Sequence, residues 1–285
     1  SHFLKIKIFI SMIIFFVGIA EAHDFAVKNS DGKYIYYNII SSTGEKKAGV
    51  TQRSYNAYGA YEGIINIPET VTYQGTEYAV TEILSSAFRT SKYLTEVNIP
   101  NTITRIGSLA FSECDSLKEV TIPESVKYVN SFAFSSSPLL KSITIPNSVL
   151  SLGESVFSDC TSLENISLSD SIKIIPSSAF KNCTSLVSVE IPDSVSVFES
   201  SAFEGCISLK LINIPNALKN IHNNAFRKCS SLLSLDLGEI ESLGSGVFEY
   251  CTSLTSIQFS GNIIYFENNL FSGCSSLQEV TIPET

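Results

Sequence analysis

Residues 117–134 read LKEVTIPESVKYVNSFAF, and residues 140–157 read LKSITIPNSVLSLGESVF. The two segments begin 23 residues apart and keep apolar residues, a proline and a final phenylalanine at the same places. The phenylalanine returns through most of the 285-residue chain, at Phe88, Phe111, Phe134, Phe157, Phe180, Phe203, Phe226, Phe248 and Phe271. Each step is 23 residues except the seventh, from Phe226 to Phe248, which is 22 and indicates one deletion near Gly238. A fixed period of this length predicts a solenoid of stacked repeats.

Each repeat begins with a short strand signal. Val120 and Ile122 alternate with polar residues, so they share one face of a strand, and Pro123 ends it because proline cannot donate a ladder hydrogen bond. A second apolar set follows with spacings of three and four residues, which suits either a short helical turn or a short strand. One repeat cannot enclose a core, so successive repeats must stack. We therefore expect a right-handed solenoid with a parallel β-sheet on its inner face and short helical turns or short strands outside.

The full phrase resembles a known family. Leu-x-x-Ile-x-Ile-Pro-x-x-Val-x-x-Ile-x-x-x-Ala-Phe-x-x-Cys is similar to the leucine-rich repeat of BspA-like surface proteins, over residues 64–285. Ser91 and Ser137 replace the cysteine of the phrase, and Ser169, Gly238 and Ser260 replace the proline. The resemblance implies a leucine-rich repeat solenoid that is secreted or anchored at the surface of host-associated bacteria or parasitic protists. It also implies attachment to host matrix proteins, host cells or other microbes.

Two segments precede the repeats. Residues 1–22 contain two lysines, an apolar run and a small-residue site ending at Ala22, which predicts a cleaved signal peptide. The alternative, an uncleaved anchor, is less favoured because the run is shorter than the ~20 residues that a spanning helix needs. Residues 23–63 contain Asp31-Gly32 between apolar and aromatic stretches, which predicts a β-hairpin cap over the first coil.

The net charge and the positions of the cysteines and histidines disfavour several classes of function. The formal charge of −9 disfavours nucleic acid as a partner. All seven cysteines occupy one place in the repeat, which predicts a ladder of buried free thiols rather than disulfides or a metal site. The three histidines have no partner in a catalytic pattern, and the sequence contains no Gly-rich phosphate loop. We expect no catalytic residues, no metal and no cofactor.

One stretch of the inner strands suggests a binding site. The exposed positions there are mostly polar, but Val187, Leu211 and Leu233 are apolar in three consecutive repeats. The flanking residues are Glu190, Lys210, Asn213 and Asp236. An apolar patch with a polar rim is typical of binding hot spots. Scattered surface hydrophobic residues are the simpler interpretation, and the patch lacks the aromatic and arginine anchors that interfaces favour.

These observations predict a secreted or cell-surface protein that binds a host or microbial extracellular protein non-covalently through the inner sheet. The alternatives are a spacer or surface-coat element that presents a further carboxyl-terminal domain, and, less favoured, a glycan-acting enzyme. The chain ends at a strand, so we expect a truncated solenoid whose last strand could self-associate. Membrane attachment would then depend on a segment beyond residue 285.

Overall fold

The computed structural model describes residues 23–54, 59–260 and 266–282, and within these ranges the chain forms strands and turns without a helix. In chain order the strands are β1 (Phe25–Lys28), β2 (Tyr34–Ser41), β3 (Lys47–Thr51), β4 (Glu62–Asn66), β5 (Thr70–Tyr73), β6 (Thr76–Ile83), β7 (Tyr93–Asn98), β8 (Arg105–Ile106), β9 (Glu119–Thr121), β10 (Tyr128–Val129), β11 (Ser142–Thr144), β12 (Ser151–Leu152), β13 (Asn165–Ser167), β14 (Ile174–Ile175), β15 (Ser188–Val189), β16 (Val197–Phe198), β17 (Leu211–Ile212), β18 (Asn220–Ile221), β19 (Ser234–Asp236), β20 (Ser242–Leu243), β21 (Ser256–Gln258) and β22 (Glu279–Thr281). The predicted signal peptide lies outside the described residues.

The strands that carry the Leu-x-x-Val-x-Ile pattern form one face of the solenoid, which we call the front sheet. Its strands are β4, β7, β9, β11, β13, β15, β17, β19, β21 and β22. From β7 onward, neighbouring strands that pair run parallel and join residues one repeat apart, as Val97 does with Val120. Between β19 and β21, on either side of Gly238, the pairing step is 22 residues, with Leu235 opposite Ile257. The stacked-repeat prediction and the parallel sheet are confirmed.

A second parallel face, the back sheet, contains β6, β8, β10, β12, β14, β16, β18 and β20. From β8 onward each back strand is two residues long, and one of the two side chains, such as Ile106 or Val129, is buried. The sequence pattern left helical turns and short strands as equal alternatives for this side. The structure has short strands.

The amino-terminal cap is larger than a hairpin. Strands β1 and β2 form the predicted antiparallel hairpin, whose turn closes with the Gly32 amide donating to the Asn29 carbonyl at 3.0 Å. Strand β3 adds to β2 antiparallel and then pairs in parallel with β6. The cap therefore continues into the back sheet and covers the core of the first coil. The insertion at Val71 forms β5, which pairs antiparallel with β6.

Left-handed residues explain why the back of each coil is not helical. The residues two positions before and two after each repeated phenylalanine have positive φ. These are Ser86, Thr90, Leu109, Glu113, Phe132, Ser136, Ser155, Asp159, Ser178, Asn182, Ser201, Gly205, Asn224, Lys228, Gly246, Tyr250, Asn269 and Gly273. A left-handed residue interrupts a right-handed helix and costs a non-glycine residue about 1–2 kcal/mol. From Phe88 to Phe248, the amide of each repeated phenylalanine instead donates to the next coil, as Phe88 does to the Ala110 carbonyl at 2.8 Å.

The repeated phenylalanines form one continuous stack through the core. From Phe88 to Phe271, consecutive ring centroids are 5.0–5.9 Å apart and the ring planes differ by 2–13°. Tyr61 extends the stack toward the cap, with its ring centroid 4.5 Å from that of Phe88. Each ring packs on its copies in the adjacent coils, so contacts between coils stabilise the solenoid.

The cysteines lie beside this stack as free thiols, and six of the seven are buried. Each Sγ–H donates to the carbonyl of a phenylalanine on the preceding coil at 3.0–3.2 Å. Ser137, which replaces a cysteine, donates its hydroxyl to the Phe111 carbonyl at 2.8 Å in the same way. The repeated position therefore requires a small hydrogen-bond donor, which cysteine or serine supplies.

Candidate partner-binding face

The front sheet exposes the three apolar residues that the sequence singled out. Val187, Leu211 and Leu233 are 46%, 67% and 48% exposed. Val187 and Leu233 occupy equivalent places two coils apart, and Lys210 holds that place between them, with its amide donating to the Val187 carbonyl. Leu211 lies one residue further along its strand, opposite Ser188. The three side chains thus share one face, with Lys210 among them.

Asn213 has a different role from the one that its place beside the patch suggested. Its side-chain oxygen accepts a hydrogen bond from the Ile191 amide at 2.6 Å, and its Nδ2 donates to the Ile191 carbonyl at 2.8 Å. In other coils a main-chain carbonyl fills this place, as Ser167 does for the Ile145 amide. Asn213 therefore joins two coils, and its amide is already engaged with the main chain.

The front sheet opens at two places near the apolar patch. Strands β13 and β15 do not pair, nor do β17 and β19, although β15 pairs with β17 between them. The front ladder is also interrupted between β9 and β11, away from the patch. A cavity of about 410 Å³ lies at the first opening, lined by Ile166, Ser167, Leu168, Asp170, Glu190, Ile191, Pro192, Asp193 and Asn213. A cavity of about 580 Å³ lies at the second, lined by Ile212, Ile214, Pro215, Asn216, Ser234, Leu235, Asp236, Leu237, Gly238 and Glu239. We call these the first cleft and the second cleft.

The one-residue deletion in the repeat coincides with the second cleft. Gly238 and Glu239 line it and belong to the connection from β19 to β20, which lies in the 22-residue repeat. The deletion is visible in the sequence, but only the structure shows that a cleft lies beside it.

Carboxylates surround both clefts. Asp170, Glu190 and Asp193 line the first cleft, Asp236 and Glu239 line the second, and neither lining contains lysine or arginine. The Asp236 side chain accepts a hydrogen bond from the Gly238 amide at 3.0 Å. Lys219 lies 3.4 Å from the Glu239 carboxylate, but that carboxylate is largely exposed. The sequence reasoning identified Glu190 and Asp236 but missed the other three.

A chain of ion pairs, also missed from the sequence, lies in the turn next to the phenylalanine stack. Glu204 contacts Lys181 at 3.0 Å on one coil and Arg227 at 3.0 Å on the next, and Arg227 also contacts Glu249 at 2.5 Å. Burial alone would raise the pKa of Glu204, but hydrogen bonds from Lys181, Ser201 and Arg227 lower it overall. The signal was present, because these residues directly follow the phenylalanine and alternate in sign. These ion pairs hold adjacent coils together.

The described residues offer little for catalysis or metal binding. Burial raises the pKa of the thiols, for Cys160 and Cys206 to about 12, so they stay protonated and weakly nucleophilic at neutral pH. Within the ranges that the structure describes, no group of three or more His, Cys, Asp or Glu residues could hold a metal ion. The same part of the chain contains no helix long and apolar enough to cross a bilayer.

Strands on two faces, a phenylalanine stack and one coil per repeat define a leucine-rich repeat solenoid, a fold typical of protein-interaction scaffolds. The pattern of the BspA type leucine rich repeat region, in 6 copies, matches residues 81–210 and 173–285, and the chain belongs to this family. It is similar to a leucine-rich repeat protein from Bacteroides ovatus, with 27% identity, a TM-score of 0.59, and coverage of 91% of this chain and 76% of that one. A leucine-rich repeat protein of T. pallidum, TpLRR, matches with 25% identity, a TM-score of 0.55, and coverage of 81% and 87%. A search of curated protein sequences gave no match.

Proposed function

We propose that this protein is secreted or displayed at the cell surface and binds an extracellular host or microbial protein through its front sheet, in adhesion. The observation that carries the proposal is the exposed apolar group of Val187, Leu211 and Leu233 in three consecutive coils of the front sheet. Binding buries such side chains, which water otherwise surrounds unfavourably. Membership of the BspA-type family supports the surface location and the interaction role.

The rigid construction of the sheet also supports a binding role. The phenylalanine stack and the hydrogen bonds between coils fix the strands, so the front face needs little ordering when a partner binds. A preformed surface loses less conformational entropy on association than a flexible one. Binding of this kind requires no cofactor and no catalytic group.

Leu211→Arg tests the proposal. Host matrix proteins such as fibronectin and fibrinogen would be immobilised, and binding of the purified protein would be measured at physiological salt. We expect saturable binding that Leu211→Arg weakens by at least about ten-fold, because a desolvated leucine at an interface typically contributes more than about 1 kcal/mol.

Leu150→Arg is the matched control, because Leu150 is 50% exposed and directly precedes the back strand β12. It should leave binding unchanged. Equal loss in both variants would refute a site on the front sheet. Absence of binding to any extracellular protein would favour the spacer alternative.

A further inference from the structure

The two clefts share the same chemistry. Each has a mostly polar lining that includes a partly buried isoleucine, Ile166 in the first and Ile212 in the second. Each has carboxylates and no basic residue in its lining. A side chain that complements such a cleft has an aliphatic stem and a cationic head, as lysine and arginine do.

The main chain adds further binding groups. Strands β17 and β19 exchange no ladder hydrogen bonds, and neither do β13 and β15. The facing edges of these strands therefore present amide and carbonyl groups that have no ladder partner. Strand edges of this kind are ready to hydrogen-bond a ligand.

The spacing of the clefts constrains the ligand. They lie on either side of the paired strands β15 and β17, so their centres are two strand steps apart, or roughly 10 Å at ~4.8 Å per step. In a polyproline II segment, residues three apart point the same way and are separated by ~9 Å. An extended segment lying across the strands can thus place one basic side chain in each cleft.

The ridge between the clefts fits the same ligand. Exposed Leu211 lies there and can contact the intervening residues of the segment. Lys210 is also exposed on this ridge, but it precedes Asn213 by three residues, about 10 Å along a strand at ~3.3 Å per residue. It therefore lies toward the opposite end of the strands from the carboxylates.

We propose that the first and second clefts bind two basic side chains, three residues apart, from an extended segment of the partner protein. This inference rests on the proposed function, since it specifies the chemistry of the partner that the front sheet binds. It assigns Glu190 and Asp236 as the principal acidic contacts.

Short labelled peptides test the proposal by fluorescence anisotropy at low salt. The probe is fluorescein-labelled Pro-Lys-Pro-Pro-Lys-Pro, compared with Pro-Lys-Pro-Lys-Pro-Pro and with Pro-Gln-Pro-Pro-Gln-Pro. We expect the first peptide to bind about five-fold more tightly than the second, because the second engages only one cleft at a time. The glutamine peptide should show no saturable binding.

Variants that remove one negative charge test the roles of Glu190 and Asp236. Glu190→Gln and Asp236→Asn should each weaken binding of the first peptide about five-fold, near the upper range for exposed ion pairs. Asn at position 236 keeps an acceptor for the Gly238 amide. Glu119→Gln is the control, since Glu119 is exposed on front strand β9 and lines neither cleft.

Equal affinity for the two lysine spacings, or equal loss in Glu119→Gln, would overturn the proposal. If binding to a matrix protein depended on Leu211 but the lysine peptides did not bind, the role proposed for the clefts would be refuted and the proposed function would not. A protein that binds the peptides as expected but no extracellular protein would refute the proposed function and leave the clefts standing as peptide sites.

Discussion

Cysteine-to-alanine substitution at two equivalent places should have unequal effects on stability. Cys160 and Cys183 are both fully buried, and each donates its thiol to a phenylalanine carbonyl on the preceding coil. The carbonyl that Cys183 contacts, that of Phe157, also accepts the Cys160 amide at 3.1 Å. The carbonyl that Cys160 contacts, that of Phe134, has only the thiol as donor within the described residues.

The expected loss of stability in each variant follows from this difference in hydrogen bonding. Removing either sulfur loses about 1 kcal/mol of apolar burial. Cys160→Ala additionally leaves a buried carbonyl without a partner, which costs about 1–3 kcal/mol. We therefore expect Cys160→Ala to destabilise the protein by about 2–4 kcal/mol and Cys183→Ala by only about 1–2 kcal/mol.

Urea denaturation followed by circular dichroism measures both variants. Cys160→Ser is the rescue control, because Ser137 already donates to Phe111 from the equivalent place. The serine variant should recover most of the stability that Cys160→Ala loses. Equal destabilisation by the two alanine variants, or no recovery with serine, would show that the thiols contribute by packing alone.

Two further predictions concern the turns. Lys228→Gly should stabilise the protein by about 0.5–1 kcal/mol, because Lys228 has a φ of 62°, which glycine adopts without strain. Gly205→Ala, at the equivalent place with a φ of 75°, should destabilise the protein by a similar amount or more. Thermal denaturation measures both variants. Because the pKa of Glu204 is lowered on folding, its contribution is present above pH 4.5 and is lost as the pH falls below that value. The free energy of unfolding of Glu204→Gln should therefore fall less on acidification than that of the unmodified protein. If denaturant titration gave the same pH dependence for both proteins, the stabilising role of the Glu204 ion pairs would be contradicted.

The sequence predicts the coil but not the conformation of its back. The phenylalanine register and the prolines set the repeat length and end the front strands, and the shared place of the cysteines predicts their burial. The choice of strands over helical turns depends on left-handed residues such as Leu109, Phe132 and Tyr250. These residue types rarely adopt positive φ, so their identity carries no signal of it.

The candidate site was predictable only in part. The exposure of Leu211 follows from the alternation of its strand, since every second residue points outward, whereas Val187 and Leu233 directly precede their strands. Asn213 shows the limit, because it occupies a place that predicts exposure and yet binds the main chain of Ile191. The clefts depend on which strands pair, and pairing is a property of the stacked coils rather than of any one repeat.

The solenoid tolerates the two openings because each coil is fixed at several independent places. Beside the second cleft, back strands β18 and β20 stay paired, and Phe226 stacks on Phe248 with ring centroids 5.7 Å apart. Beside the first cleft, β14 pairs with β16, and the Phe180 and Phe203 rings are 5.3 Å apart. The openings leave Ile166 and Ile212 only partly buried, while the phenylalanine rings beside them stay fully buried. Because the stack and the back sheet supply stability, front-face residues can vary with the partner, and an opened front sheet becomes a place where this fold can recognise a ligand's side chains.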